Sequence, residues 1–146
     1  MLVKTWLLQK QREIMTTTPG TSLKSAMKHL IENKISCLPV LEDSGELIGI
    51  ISDKDIFHAA YNDIDILGYG SVADLMTTNL LVGVPDDDFS YIAGLMTNNK
   101  VRHIPIMEKD RIVGLLSVGD IVKVQVADME IENRYLMNYI SGNYPG

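Results

Sequence analysis

The sequence predicts an α+β fold: two β-α-β-β-α repeats packed sheet to sheet about a pseudo-two-fold axis, followed by an extended C-terminal helix. Three observations carry that expectation. GIISDKDI at residues 49–56 recurs as GLLSVGDI at 114–121, with Gly, two large aliphatics, Ser, two variable residues, Asp and Ile in each copy. The residues upstream repeat at a fixed offset of 66: Pro39 in CLPV with Pro105 in HIPI, Pro19 with Pro85, Leu23 with Phe89, and Lys34 with Lys100. A self-match of this length marks a duplicated supersecondary unit. Past the second copy, Val122, Val126, Met129, Asn133, Leu136 and Ile140 keep a 4-3-4-3-4 spacing, which is helical.

Each repeat reads in the same order. A short β segment is expected at Ile14–Thr18 and again at Leu80–Val84, each followed by a turn with Pro19 or Pro85. Ser22 and Asp88 are suited to cap a helix start. The helix after Ser22 carries Leu23, Ala26, Met27, Leu30 and Ile31 at helical spacing; the one after Asp88 carries Phe89, Ile92, Ala93 and Met96. The apolar runs Ser36–Leu41 and His103–Met107 read as strands. Tight turns, EDSGE (42–46) and EKDR (108–111), lead to strands at Leu47–Ile51 and Ile112–Leu116. The second turn is one residue shorter, so the offset falls to 65 beyond it. Ser52 and Ser117 then open second helices. The repeats are expected over residues 8–61 and 76–125, joined by a linker at 62–75 that begins with NDIDILGYGS (62–71), with the helix and tail at 126–146. One repeat of about 50 residues is too small to stand comfortably alone, so the two should share a core.

Composition narrows the classes of function. The chain is 46% hydrophobic and 22% charged, ordinary for a globular domain, and its formal net charge of −6 argues against nucleic acid as the main partner. The single cysteine, Cys37, forms no internal disulfide and sits in an apolar run as a small core residue. The N-terminal MLVKTWLLQKQRE lacks the features of a secretory signal, and no run approaches the ~20 apolar residues of a transmembrane helix. A cytoplasmic, non-membrane protein is expected.

Ser52-x-x-Asp55 and Ser117-x-x-Asp120 admit two readings. As capping boxes they satisfy free amides at helix starts. As binding groups, the same Ser hydroxyl can meet a phosphate or ribose oxygen, and the Asp one turn on can accept from vicinal hydroxyls. Such charged hydrogen bonds are worth roughly 1.5–3 kcal/mol each. Lys54 stands beside the first motif and Gly119 beside the second.

Two such halves, each ending in Gly-apolar-x-Ser-x-x-Asp, resemble a tandem pair of cystathionine β-synthase (CBS) domains. The resemblance covers roughly residues 8–125 and rests on CLPV, HIPI, Gly49, Ser52 and Asp55, and Gly114, Ser117 and Asp120. It implies a regulatory, non-enzymatic module that binds AMP, ADP, ATP, NAD(H) or S-adenosylmethionine between the repeats. It assigns ribose to Asp120 and Asp55, ribose or phosphate to Ser117 and Ser52, and phosphate to Arg102 and His103; Lys54, from its place beside the first motif, is expected to add phosphate charge there. The adenine is expected beside Thr16, Thr17 and Thr18, or Thr78, Asn79, Leu80 and Leu81. The first repeat has neutral Ser36 and Cys37 where the second has Arg102 and His103, so the two clefts should differ. A homodimer, signalling to an unidentified protein target, is also implied. The alternative is a ligand-independent module for oligomerisation or partner interaction.

Other features read as structural. PDDD (85–88) suits a helix start better than a metal, and His29, His58 and His103 lack a zinc spacing. No Ser-His-Asp or Cys-His arrangement can be assembled, so no catalytic group or catalytic cofactor is expected. The 122–140 seam is expected to be a dimer contact with Asn133 fixing register, joined by a second short face of Leu2, Val3, Trp6 and Leu7.

Overall fold

The computed structural model describes residues 1–11, 13–62, 64, 65, 68 and 70–142; the rest of the expected linker and tail, residues 63, 66, 67, 69 and 143–146, lie outside the described residues. The first half contains α2 (Leu23–Glu32), β1 (Cys37–Leu41), β2 (Leu47–Ser52) and α3 (Asp53–Tyr61). The second contains α5 (Phe89–Asn99), β3 (His103–Glu108), β4 (Arg111–Ser117) and the long α6 (Val118–Ile140). Two further helices, α1 (Val3–Lys10) and α4 (Val72–Leu75), precede them.

The caps hold where local chemistry puts them. Ser22 Oγ accepts from the Ser25 amide at 3.1 Å, and Asp88 Oδ1 from the Ser90 amide at 2.9 Å. Each half then makes an antiparallel hairpin, with Pro39 opposite Ile50 and Pro105 opposite Leu115. Both hairpins shift register at the same place, between Val40 and Leu41 and between Ile106 and Met107. The duplication therefore extends to an irregularity of the ladder.

The segments expected as first strands are not strands. In each, one residue bridges the hairpin in parallel: Thr17 opposite Val40 and Gly83 opposite Ile106. The Thr17 amide donates to Pro39 O and its carbonyl accepts from the Leu41 amide, both at 2.9 Å. Pro19 and Pro85 follow two residues later, and proline has no N–H with which to continue a ladder. Upstream, Ile14 and Met15, like Leu80 and Leu81, leave the hairpin to line a cavity.

Helices α1 and α4 exchange between halves. The Val3 amide donates to Asp87 O at 2.9 Å, the Lys4 amide to Pro85 O at 2.8 Å, and the Phe89 amide to Met1 O at 3.0 Å. The same set recurs for α4 on the first half: Val72 to Thr21 O at 2.9 Å, Ala73 to Pro19 O at 3.0 Å, and Leu23 to Gly70 O at 3.1 Å. Val3 and Trp6 thus lie in the second core with Phe89, Ile92, Ile104, Ile106 and Leu116. Val72 lies in the first with Leu23, Leu38, Val40 and Ile51. Trp6 meets Phe89 edge to face, ring centres 6.1 Å apart. The face expected to join a dimer contact is therefore internal: Val3 and Trp6 are buried, and Leu2 and Leu7 half-buried. An apolar stripe on a short helix does not say which surface covers it, and here that surface belongs to residues some 80 positions away.

The exchange also explains the glycine of the repeated motif. A Cβ on Gly49 would stand 2.8 Å from Met76 Sδ, and one on Gly114 would collide with Leu7 Cδ2. Gly49 and Gly114 are where each exchanged segment crosses its strand.

Candidate functional site: two unequal clefts

Both motifs form reciprocal caps. Ser52 Oγ accepts from the Asp55 amide at 3.2 Å, and Asp55 Oδ2 accepts from the Ser52 amide at 2.9 Å. Ser117 Oγ accepts from the Asp120 amide at 3.1 Å, while Asp120 Oδ2 accepts from the Ser117 amide and hydroxyl, both at 2.9 Å. A third Ser-x-x-Asp begins α4, where Asp74 Oδ2 accepts from the Ser71 amide at 3.0 Å. Ser71 and Asp74 border neither cleft, whereas Ser52 and Asp55 border one and Ser117 and Asp120 the other.

The Asp120 cleft has a volume of about 590 Å³. Its wall combines the start of α6, the approach to β1 (Lys34, Ile35, Ser36, Cys37), the segment Glu13–Met15, and α1 through Trp6, Leu7 and Lys10. The Asp55 cleft holds only about 220 Å³. It combines the start of α3 with Lys100, Val101, Arg102 and His103 and with Thr77, Asn79, Leu80 and Leu81. Each cleft therefore joins a helix start of one half to the strand approach of the other.

The difference in size has a visible cause. Thr77 bridges β2, exchanging hydrogen bonds with Ile50 at 2.8 and 3.0 Å, and its hydroxyl reaches Asp55 Oδ1 at 3.5 Å. At the corresponding place beside Leu115, α1 is still helical, so its chain does not close the edge of β4.

The residues singled out in sequence are distributed as follows. Ser117 and Asp120 border the large cleft; Ser52, Lys54, Asp55, Asn79, Leu80, Leu81 and Arg102 border the small one; His103 borders both. Thr78 borders neither. The large cleft is lined by Glu13, Ile14 and Met15 rather than by Thr16, Thr17 and Thr18, and Thr17 is buried in its bridge to Val40. Sequence reasoning missed Lys10, Lys34 and Lys123, all on the large cleft. The pairing of Lys34 with Lys100 was the available signal, since both stand just ahead of a strand that lines a cleft.

Arg102 Nη2 lies 3.1 Å from Asp53 Oδ1, an ion pair across the halves. Both side chains are more than half exposed, so the pair is worth at most about 1 kcal/mol. His103 Nε2 lies 2.9 Å from Ser36 Oγ, between the two clefts. Burial, then the neighbouring Arg102 cation, holds its pKa below the ordinary histidine value. Burial, then the Asp53 carboxylate, pushes the Cys37 thiol up to about 12, which leaves almost no thiolate for nucleophilic chemistry near neutral pH. The acidic run is taken up locally: Asp86 pairs with Lys4, Asp87 accepts from the Val84 amide, and Asp88 caps α5.

Residues 10–62 and 72–127 each match the CBS domain. The chain belongs to the CBS-domain family. Solved CBS pairs superpose over most of it. The CBS-domain protein ATU1752 of Agrobacterium tumefaciens is 29% identical with a TM-score of 0.80, the match covering 86% of this chain and 99% of that one. CBSX2, a protein of Arabidopsis thaliana solved with AMP, is 28% identical with a TM-score of 0.73, covering 88% and 98%. The CBS pair of MJ0100, solved with 5′-methylthioadenosine and S-adenosyl-L-methionine, is 26% identical with a TM-score of 0.78, covering 88% and 98%. Curated relatives are longer. The CBS chain spans 22% of the homoserine O-acetyltransferase of Methanococcoides burtonii, to which it is 28% identical over 110 residues. Among the described residues no helix is long and apolar enough to cross a membrane.

Proposed function

We propose that this CBS pair senses an adenine nucleotide in the Asp120 cleft and passes its bound state to a partner protein. One observation carries the reading: a buried carboxylate, Asp120, at a helix start in the wall of a cavity of about 590 Å³. That volume falls within the roughly 300–1,000 Å³ usual for small-molecule sites. Asp120 accepts from the ribose hydroxyls, Ser117 meets ribose or phosphate, and the adenine lies among the aliphatic stems of Ile14, Met15 and Ile35. The AMP complex of CBSX2 and the methylthioadenosine and S-adenosylmethionine complexes of MJ0100 support this class of ligand. In the small cleft, Asp55 and Ser52 play the ribose roles while Arg102, His103 and Lys54 face phosphate. Asp53 and Thr77 already engage two of its polar groups, so the large cleft fills first. Signalling then follows from differential affinity for two arrangements of the halves.

A thermal-shift screen with AMP, ADP, ATP, NAD(H) and S-adenosylmethionine tests the reading. A ligand at 100 times its dissociation constant adds about 2.7 kcal/mol of stability. No shift with any of them at millimolar concentration would favour the other reading, a ligand-independent interaction module. That reading draws on the Ser71–Asp74 cap, which makes similar bonds away from both clefts.

In the same proposal the pair is a homodimer through α6. Val122, Val126, Met129, Leu136 and Ile140 are all exposed, in line along the helix. Truncation after Asp128 is expected to halve the mass seen by light scattering; an unchanged mass would refute the contact.

A further inference from the structure

Three lysines share the large cleft: Lys10 at the end of α1, Lys34 after α2, and Lys123 on α6. Lys123 lies three residues beyond Asp120, hence on the same side of the helix. Lys34 turns the chain at a left-handed φ of 53° into the Ile35–Cys37 wall of the cleft. Lys4, Lys28 and Arg102 are engaged by carboxylates, whereas Lys10, Lys34 and Lys123 make no ion pair among the described residues. The acidic side chains on the same wall are Glu13 and Asp120, so the three lysines outnumber them. This concentration of positive charge occurs in a chain of net charge −6. Lys10 also suits the last turn of a helix, where a cation complements the dipole, but that role does not bring three lysines from three separate segments to one cavity.

We infer that the Asp120 cleft selects adenosine compounds with an anionic polyphosphate tail over sulfonium compounds, the tail being held by Lys10, Lys34 and Lys123. This rests on the nucleotide-sensor reading and narrows it. The tail of S-adenosylmethionine carries a sulfonium, an ammonium and a carboxylate, a net positive charge that meets a lining in which three lysines outnumber the two acids Glu13 and Asp120. A diphosphate or triphosphate brings charge of the opposite sign and several acceptor oxygens. The cavity is roomy enough for the longer tail.

Isothermal titration with adenosine, ADP and S-adenosylmethionine tests the inference. ADP is expected to bind at least ~10-fold more tightly than adenosine, and S-adenosylmethionine no better than adenosine. In Lys10→Gln/Lys34→Gln/Lys123→Gln the advantage of ADP should fall to about 2-fold, with adenosine unchanged; adenosine then reports that the cleft is intact. Lys28→Gln, which removes a cation bordering neither cleft, should leave the advantage in place. S-adenosylmethionine binding as tightly as ADP, a triple variant that keeps the advantage, or a Lys28→Gln variant that loses it would each overturn the inference while sparing the sensor reading. Failure of all three ligands to bind the unaltered protein would overturn both.

Discussion

Trp6→Ala is expected to cost about 3–5 kcal/mol of folding stability, the range for a large aromatic removed from a packed core. Trp6 is 3% exposed, packs edge to face on Phe89, and is shared between the second core and the wall of the large cleft. Its loss removes the anchor of α1, so the three backbone bonds that tie residues 1–4 to 85–89 weaken with it. Urea denaturation followed by circular dichroism measures the cost, since the chain's single tryptophan is gone as a fluorescent probe. Leu8→Ala, on the same helix but 72% exposed, is the comparison and should change stability by less than about 0.5 kcal/mol. A cost near that of Leu8→Ala would mean that α1 does not dock on the second half. Because Trp6 lines the cleft, ligand affinity should fall in the same variant at temperatures where it remains folded.

Asp120→Ala should weaken adenine-nucleotide binding by ~10-fold or more while lowering stability by about 1 kcal/mol, the usual worth of a helix cap. The comparison that separates the two effects is Asp74→Ala. Asp74 reaches back to Ser71 as Asp120 does to Ser117, but away from either cleft. It should lose similar stability and no affinity. If both variants lose only stability, the repeated motif is a cap and the module works without ligand.

The duplicated unit was legible in the sequence because prolines, glycines and apolar periods are local signals, and the fold preserves them down to matching register shifts at Val40 and Ile106. The clefts were legible through Ser52, Asp55, Ser117 and Asp120, whose positions at helix starts follow from the same signals. The cleft lining was harder. Thr16–Thr18 and Ile14–Met15 are consecutive in one extended segment, and which of them meets the cavity depends on where the Thr17 bridge forms. Lys10 and Lys123 look in sequence like any solvated lysines and Lys34 is marked only by its pairing with Lys100; the fold alone gathers them, from α1, the turn after α2, and α6. Likewise the stripe Leu2, Val3, Trp6 and Leu7 announced a buried face but not its partner. The strands expected at Ile14–Thr18 and Leu80–Val84 were apolar enough, yet pairing needs a run of free amides, and the prolines cut it to one residue.

The exchanged helices make each half incomplete by itself. Severing the backbone between residues 62 and 70 would give two fragments, each with an empty slot and each carrying the other's missing helix. Neither has a finished interior until it finds its counterpart. Two copies of a single half would face the same arithmetic, and could solve it by lending helices to each other. The arrangement in this chain is thus what a symmetric pair of separate subunits would build, with a covalent tether replacing the search for a partner.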